Sequence, residues 1–386
     1  MEIDILNPSH MDELIELWSQ SFLLPYKQVT WVNEKNIRNC IGIFEKNKLV
    51  SALIINPFEV YIRGKLFTLS GIGGVATLPE YRGKNYVHIL LKEAIKISKS
   101  KDLIFSALYP FSYEFYRLFG WELSGLQKRY RVKLNFIPKF KETEKVKKIP
   151  LSDWNCIKPV YEKYAKNFSG MLKRSDERWE NHIFWTKDLT YLYVYEDIDL
   201  EGYVLYQVVK GSINKINVRE IIALNTSAYK GLLGIFSRQS VNIEEVEWIA
   251  EINDSLHLIL PNPYIHCNIE PTFMLRVIDL KKAIEGMLFL EDIKENIFIE
   301  IKDNYAEWNN GVFKLIIQDG KGFLEKENNH KWDISLSINT LSQIISGFIS
   351  ITKAFNLGLV EVNDKNIILK LNQIFPTYPT FSCDYF

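Results

Sequence analysis

The chain opens on a short apolar run, Ile3 to Leu6, that reads as a strand. Pro8-Ser9-His10-Met11-Asp12-Glu13 then predicts a helix start, with Ser9 as N-cap and the acidic pair in the first turn, where the helix dipole favours negative charge. Leu14, Ile15, Leu17 and Trp18 supply its apolar stripe. Residues 40–47 and 49–56 read as two strands around the polar turn Glu45-Lys46-Asn47-Lys48. Tyr61 to Leu69 predicts another strand, and Gly71-Ile72-Gly73-Gly74-Val75-Ala76-Thr77 a glycine-rich one that runs into Leu78-Pro79. His88 to Ser98 has helical periodicity, and Leu103 to Leu108 is a short apolar strand. Ser112 to Leu118 suits a helix stopped by Gly120, after which Trp121 to Val132 returns as strand.

The pattern then breaks. Residues 138–149, PKFKETEKVKKI, are highly charged and contain one proline. They read as a solvated linker or a strand-edge segment, and they mark the first boundary. A second mixed block runs from Pro150 to about Pro271, and a third from near Met274 onward. The expected domains are therefore 1–145, 146–272 and 273–386. The third ends in a strand (332–338), a helix (340–354) and two further segments (357–362 and 367–375). One short echo links the first two blocks. Ala228-Tyr229-Lys230-Gly231 follows the apolar run Ile221 to Leu224, much as Glu80-Tyr81-Arg82-Gly83 follows its own strand. Two readings fit it: a degenerate second copy, or coincidence over four residues.

Composition narrows the function classes. A length of 386 residues, 47% hydrophobic and 24% charged, suits an ordinary globular protein of two or three domains. Such a chain buries several cores without disulfides or metals. A formal net charge of +0 argues against a nucleic-acid partner. Cys40, Cys156, Cys267 and Cys383 show no CxxC spacing and read as free thiols of a reducing cytoplasm. The six histidines are scattered without metal-ligand spacing, so no metal is expected. The first residues lack the pattern of a signal peptide. No apolar run reaches the roughly 18 residues of a membrane span. No membrane partner and a cytoplasmic location are the corresponding expectations.

Candidate chemistry concentrates between Gly73 and Val87, where an apolar strand, a proline and a basic loop lead into a helix. That order makes an anion site, because the first amides of a helix point outward unpaired and the dipole adds positive charge. Gly83 lets a main chain approach a diphosphate, and Arg82 and Lys84 add charge. A Walker loop is excluded by the lack of GKS or GKT, and no dinucleotide fingerprint is present. On these features alone, a plain strand-to-helix turn with a surface arginine fits equally well.

The residues Val75-Ala76-Thr77-Leu78-Pro79-Glu80-Tyr81-Arg82-Gly83-Lys84-Asn85-Tyr86-Val87 resemble V-x-x-x-P-x-x-R-x-x-G/N-x-G/A, the pyrophosphate loop of the GNAT superfamily of N-acetyltransferases. The resemblance implies a β-bulge that splays the strand, main-chain amides for the pantetheine arm, and loop amides for the pyrophosphate of acetyl-CoA. It assigns acetyl-CoA binding to Val75, Ala76, Thr77, Arg82, Gly83, Lys84, Asn85, Tyr86, Val87 and His88, together with Phe111 and Ser112. Two positions depart from the commonest pattern: Asn85 and Val87 stand where glycine, or glycine and alanine, are usual. Asparagine tolerates the left-handed conformation better than other non-glycine residues. Phe115-Tyr116-Arg117-Leu118-Phe119-Gly120-Trp121-Glu122 is similar to the superfamily's F-Y-x-x-x-G-F/W-x run. By that likeness Tyr116 protonates the departing thiolate. By pattern alone it is a core aromatic, and Phe115 with Phe119, at i and i+4, packs inward.

The whole layout resembles the enhanced-intracellular-survival (Eis) family. This implies an α/β (α+β) fold: two acetyltransferase-type mixed-sheet domains, the second without a cofactor site, then a sterol-carrier-protein-like domain. It implies a homo-oligomer, a hexamer in that family, and a base supplied by the terminal carboxylate, here that of Phe386. A carboxylate with a reference pKa of about 3.3–3.7 is a weak base, so attracting and orienting an ammonium is an equal part of that role. Phe22, Trp31 and Asp384 are the candidate acceptor-pocket residues, since aromatic walls with one carboxylate suit a cationic amine. The expected activity is acetyl transfer from acetyl-CoA to a primary amine of an aminoglycoside- or polyamine-like small molecule. The alternatives are a protein lysine acetyltransferase, and a non-catalytic CoA- or lipid-binding carrier or sensor.

Overall fold

A computed structural model describes residues 1–184, 189–239, 241–327 and 330–385. The first block folds as β1 (Glu2–Ile5), α1 (Met11–Phe22), β2 (Cys40–Glu45), β3 (Lys48–Ile62), β4 (Lys65–Thr77), α2 (Tyr86–Ser100), β5 (Phe105–Leu108), α3 (Tyr113–Arg117) and β6 (Glu122–Leu123). Strands β1 to β4 form an antiparallel meander, and β5 then joins β4 in parallel. The α1 stripe buries Leu14, Leu17 and Trp18, and α2 buries Leu90, Leu91, Ala94 and Ile95 at helical spacing. Two local expectations shift. Asn7, not Ser9, caps the first turn, because its side chain accepts from the Ser9 amide at 3.0 Å. Tyr61 to Leu69 is not one strand: the chain reverses at Arg63-Gly64, both at positive φ, so β3 runs on to Ile62 and β4 begins at Lys65.

The second block comprises β7 (Leu126–Lys133), β8 (Val146–Ile149), α4 (Lys158–Ala165), β9 (Leu172–Lys173), α5 (Asp176–Ile183), β10 (Thr190–Glu196), β11 (Leu200–Val209), β12 (Lys215–Ala223), α6 (Thr226–Ser237), β13 (Glu245–Glu251) and β14 (His266–Pro271). Its sheet has the order β14-β7-β13-β12-β11-β10-β8, with β12 and β13 parallel. The charged segment 138–149 is no free linker. Thr143 is buried against α6, and Val146–Ile149 is the edge strand beside β10.

The remainder is β15 (Met274–Val277), α7 (Leu280–Gly286), β16 (Glu295–Lys302), β17 (Gly311–Gln318), β18 (Lys321–Glu327), β19 (Ile334–Ser337), α8 (Ile338–Ser346), α9 (Ile351–Asn356), β20 (Val360–Val362) and α10 (Asn366–Ile374). The order of its sheet is β18-β17-β16-β19-β20. The helix expected over 340–354 is two helices, because Gly347 ends α8 in the left-handed region.

The sheets do not divide at residues 145 and 272. Strand β7 already belongs to the second sheet, and β15 lies in the first, antiparallel to both β5 and β6. Burial explains both placements. Met274–Val277 is buried at all four positions, which suits a strand covered on both faces, whereas β7 alternates and buries Tyr130 and Val132 on one face. The two crossings run side by side. Ser124 N donates to Phe273 O at 3.1 Å, and Thr272 N to Gly125 O at 3.0 Å. One apolar cluster consequently joins Val60, Phe67 and Phe105 of the first sheet to Leu275, Ile297 and Ile344. Among the described residues no helix is long and apolar enough to cross a membrane.

Candidate active site

The pairing of β3 with β4 slips where the glycine-rich run begins. Ala52 faces Ala76 and Ile54 faces Gly73, so Gly74 and Val75 together oppose Leu53. This is a β-bulge. Gly74 takes φ +58, and a Cβ there would lie 2.4 Å from the Trp18 ring, whose Nε1 donates to the Gly74 carbonyl at 2.5 Å. Only glycine meets both demands. Pairing of β4 with β5 covers Leu69 to Gly71 and Phe105 to Ala107, and the strands part after it. Val75, at the bulge, packs on the same apolar cluster as Tyr86, Val87 and Tyr116. Ser51 Oγ donates to Ala76 O and shares a hydrogen bond with Thr77 Oγ1, both 2.8 Å. The Thr77 hydroxyl is thus engaged within the sheet.

Beyond β4 the loop stands open. Arg82, Gly83, Lys84 and Asn85 are exposed, and a Cβ on Gly83 would meet nothing within 4 Å. Asn85 adopts the left-handed conformation, φ 61 and ψ 21, immediately before α2. It does there what glycine does in the commoner pattern. Arg82 Nε donates to Thr77 O at 3.3 Å, while Lys84 pairs with Glu45 at 3.3 Å and lies 4.9 Å from the centre of the Tyr81 ring. His88 turns away from the loop, whereas Lys84 of the loop lies over the Tyr86 ring, its Nζ 5.8 Å from the ring centre. Tyr86 is buried in the core, and the His88 ring packs on Phe119 at 4.5 Å and Phe115 at 5.8 Å. The His88 side chain ties α2 to α3.

Helix α3 is capped by Ser112, whose hydroxyl accepts from Phe115 N at 3.3 Å. Phe111 is exposed and rests edge-on against Tyr116 at 5.2 Å. Tyr116 is 3% exposed, and burial pushes its phenol well above the ordinary value. It therefore stays protonated, as an acid must. The far end of α3 is held from β15 and from the third domain. Arg276 Nη1 donates to Phe119 O at 2.5 Å while its Nη2 holds both oxygens of Asp303 at 2.8 Å. Asn339 Nδ2 reaches Arg117 O at 3.0 Å and Trp121 O at 3.2 Å. Gly120, at φ +88, is pressed so close that a Cβ would lie 1.7 Å from Arg276 Nη1. The glycine was legible in the sequence as a helix stop; the arginine and asparagine were not.

On the other side of the bulge, Trp31 lies 5.7 Å from Trp18 and 6.2 Å from Phe22. Phe22 and Trp31 are 41% and 38% exposed, and Trp18 links them to Gly74. Asp384 is elsewhere. It is 5% exposed, and its carboxylate accepts from Arg174 Nε at 2.9 and 3.1 Å, Arg178 Nε at 3.1 Å and Tyr161 Oη at 3.2 Å. Burial alone would raise this carboxyl, and Arg174 with Arg178 outweighs it and holds the group below the usual range. A carboxylate so fully partnered does not line an open acceptor pocket. Its main-chain carbonyl accepts from Tyr109 Oη at 2.9 Å, and Tyr385 packs on Tyr109 at 4.5 Å. Phe386 lies outside the described residues.

Sequence comparison supplies the family. Residues 2–124 and 170–277 each match an acetyltransferase (GNAT) domain. The chain belongs to the GNAT acetyltransferases. Residues 280–382 match a sterol carrier protein domain. No curated protein matches the sequence. Similar folds include a GCN5-related N-acetyltransferase from Anabaena variabilis (TM-score 0.89, 21% identity, 100% of both chains). A probable N-acyltransferase from Enterococcus faecalis gives TM-score 0.87 at 24% identity over 100% of this chain and 99% of that one. Eis1 from Mycobacterium abscessus gives TM-score 0.82 at 17% identity over 100% of both. A GNAT domain takes its acetyl group from acetyl-CoA, and the bulge, the open loop and the left-handed Asn85 all fit that donor.

The second GNAT unit is a repeat of the fold, but its likeness does not run through the four-residue echo. Glu80-Tyr81-Arg82-Gly83 precedes α2, whereas Ala228-Tyr229-Lys230-Gly231 lies inside α6. Tyr229 is inaccessible to solvent at its hydroxyl, and Gly231 is buried against Tyr195.

Proposed function

We propose that this GNAT protein moves the acetyl group of acetyl-CoA to a primary amine of a small cationic acceptor, aminoglycoside- or polyamine-like, at the gap between β4 and β5. The observation that carries the reading is a set of three parts in the first GNAT unit: the bulge at Gly74-Val75, the open Arg82 to Asn85 loop that follows β4, and a buried, protonated Tyr116 on the apolar cluster that Val75 joins. Main-chain amides at the bulge would hold the thioester carbonyl and stabilise the oxyanion formed on attack. The loop and the first turn of α2 would take the diphosphate. Tyr116 would give its proton to the sulfur as the thiolate leaves. The Phe386 carboxylate would draw in the ammonium and accept its proton. Exposed Phe22 and Trp31 beside Trp18 offer π-faces to a cation, which supports a cationic acceptor. Binding both reactants in one gap adds proximity.

The carrier alternative finds little support in the third domain. The cavity between Ile284, Ile299, Phe313, Leu315 and Phe375 holds about 10 Å³, about the room one water occupies.

The reading is tested by following thiol release from acetyl-CoA with polyamine, aminoglycoside and peptide acceptors. Tyr116→Phe should lower kcat by about 10²–10⁴-fold while acetyl-CoA still binds. Turnover with peptides alone would move the assignment to protein lysines. An unchanged kcat in Tyr116→Phe would remove the tyrosine from the mechanism.

A further inference from the structure

The proposed chemistry makes no use of a buried ionic cluster around Arg174. The Arg174 side chain, between β9 and α5, is 0% exposed. Its guanidinium lies 4.1 Å from the Tyr161 ring centre and 4.6 Å from that of Trp179. It donates to both oxygens of Glu220 at 2.5 and 3.0 Å and to both oxygens of Asp384. Glu220 also accepts from the Tyr203 hydroxyl and, at 3.1 Å, from the Cys383 thiol. Removing these charges from water costs several kcal/mol per ion, which their pairing offsets only in good geometry. An apolar cluster would have filled the space more cheaply, so the arrangement calls for a role in placement.

What it places is the tail. Pro379 to Phe381 is stitched to Ser169: the Ser169 amide donates to Pro379 O at 2.8 Å, and the Phe381 amide to Ser169 O at 3.1 Å. The Asp384 side chain is then fixed in the second GNAT unit by Arg174, while its carbonyl is fixed in the first by Tyr109. Tyr109 lies two residues past the last β4–β5 pair, Gly71 with Ala107, at the mouth of the gap. Arg178 completes the bridge. It holds the Asp384 carboxylate and the Tyr385 carbonyl, and its guanidinium lies 4.7 Å from the ring centre of Phe58 on β3.

We propose that Arg174, Asp384 and Tyr109 form a latch that positions the tail beside the β4–β5 gap, so that the second GNAT unit contributes to acetyl transfer as the receptacle for this segment. The latch rests on the acetyltransferase reading for its effect on catalysis but not for its effect on the tail. These are positioning residues: they act through the segment they hold, on the acceptor side of the reaction.

The test uses the full chain with Asp384→Asn, Tyr109→Phe and the double variant. Three quantities are measured: acetyl-CoA affinity by calorimetry, kcat and KM for a polyamine, and hydrogen exchange of residues 376–385. Acetyl-CoA affinity should stay within about twofold, while kcat/KM for the amine falls roughly tenfold in Asp384→Asn and about fivefold in Tyr109→Phe. The double variant should fall short of the product of the two, because both act through one segment. Tail exchange should quicken in every variant. Unchanged amine kinetics in folded variants overturns the proposal, and so does a matching loss of acetyl-CoA affinity. If Asp384→Asn does not fold, Tyr109→Phe decides by the same criteria. A wild type that acetylates no amine sinks the acetyltransferase reading; the exchange measurement still decides the latch, which is lost if the tail exchanges equally in all four proteins.

Discussion

The two GNAT units share a strand plan and differ where a ligand would sit. In the first, the bulge before the parting strands falls on Gly74; in the second, the pairing of β11 with β12 slips between Leu205 and Tyr206 and leaves Arg219 as the extra residue. In the first, residues 78–85 separate β4 from α2 and include the exposed basic loop. In the second, only Leu224 and Asn225 separate β12 from α6, and the Asn225 side chain caps that helix by accepting from Ala228 N at 2.9 Å. The helix-start amides proposed to take a diphosphate in the first unit thus have a counterpart in the second that is capped from within. The second unit's parting strands border an ionic receptacle around Glu220. The repeated fold keeps its strand plan, while loop length and the residue at the bulge differ between the two units.

The largest effect expected from this contrast separates the two bulges. Gly74→Val forces a β-branched residue to φ +58 and into the Trp18 ring, so acetyl-CoA affinity should fall by roughly a hundredfold or more, from strain of about 1–3 kcal/mol plus the collision. Arg219→Ala should leave that affinity unchanged. Equal losses in calorimetry would mean that the second bulge also serves the donor. Arg174→Met comes next. It strands Glu220 and Asp384 in the interior and should cost about 3–5 kcal/mol in denaturant unfolding, against under about 1 kcal/mol for the exposed pair Lys84 with Glu45.

Acid sharpens the same difference. The Asp384 carboxyl, pulled down by Arg174 and Arg178 against the effect of burial, starts from an ordinary value of 3.8. Its contribution to stability is fully present above that pH and is lost as pH falls through the lower value it has in the fold. Asp384→Asn should flatten the acid limb of a stability profile, and an unaltered limb would place the acid sensitivity elsewhere. The smallest effect is expected at Asn85. Alanine there costs about 1 kcal/mol in the left-handed region and should weaken acetyl-CoA about fivefold, whereas Asn85→Gly should bind at least as well. Equal affinity for all three would show that the loop tolerates another backbone conformation.

What was legible in the sequence was local. The run from Val75 to Val87 carries its own conformation, since glycine, proline and asparagine each restrict or free the backbone where they stand. Gly120 announced a helix end for the same reason. Partners distant along the chain left no such trace. Asp384 looked like a free carboxylate because its arginine lies 210 positions away. Trp18 read as one more apolar stripe residue, although its indole N–H fixes the bulge. Arg276 gave no sign that it would reach Phe119, 157 positions earlier. The second block is a copy of the first fold, but the Ala228 to Gly231 echo was a coincidence, because four residues in a helix and four in a loop can share side chains without sharing a backbone.

The exchange of β7 and β15 between the sheets also governs the order in which this protein can be made. Strand β6 ends at Leu123 and its neighbour β15 begins at Met274, so the first sheet has an empty slot between β5 and β6 until the ribosome has delivered the whole second unit. At about 5–20 residues per second, the nascent acetyltransferase waits several seconds or more with unpaired strand edges. A gene fragment stopping at residue 145 would carry the full acetyl-CoA loop and Tyr116, yet lack the strand that closes their sheet.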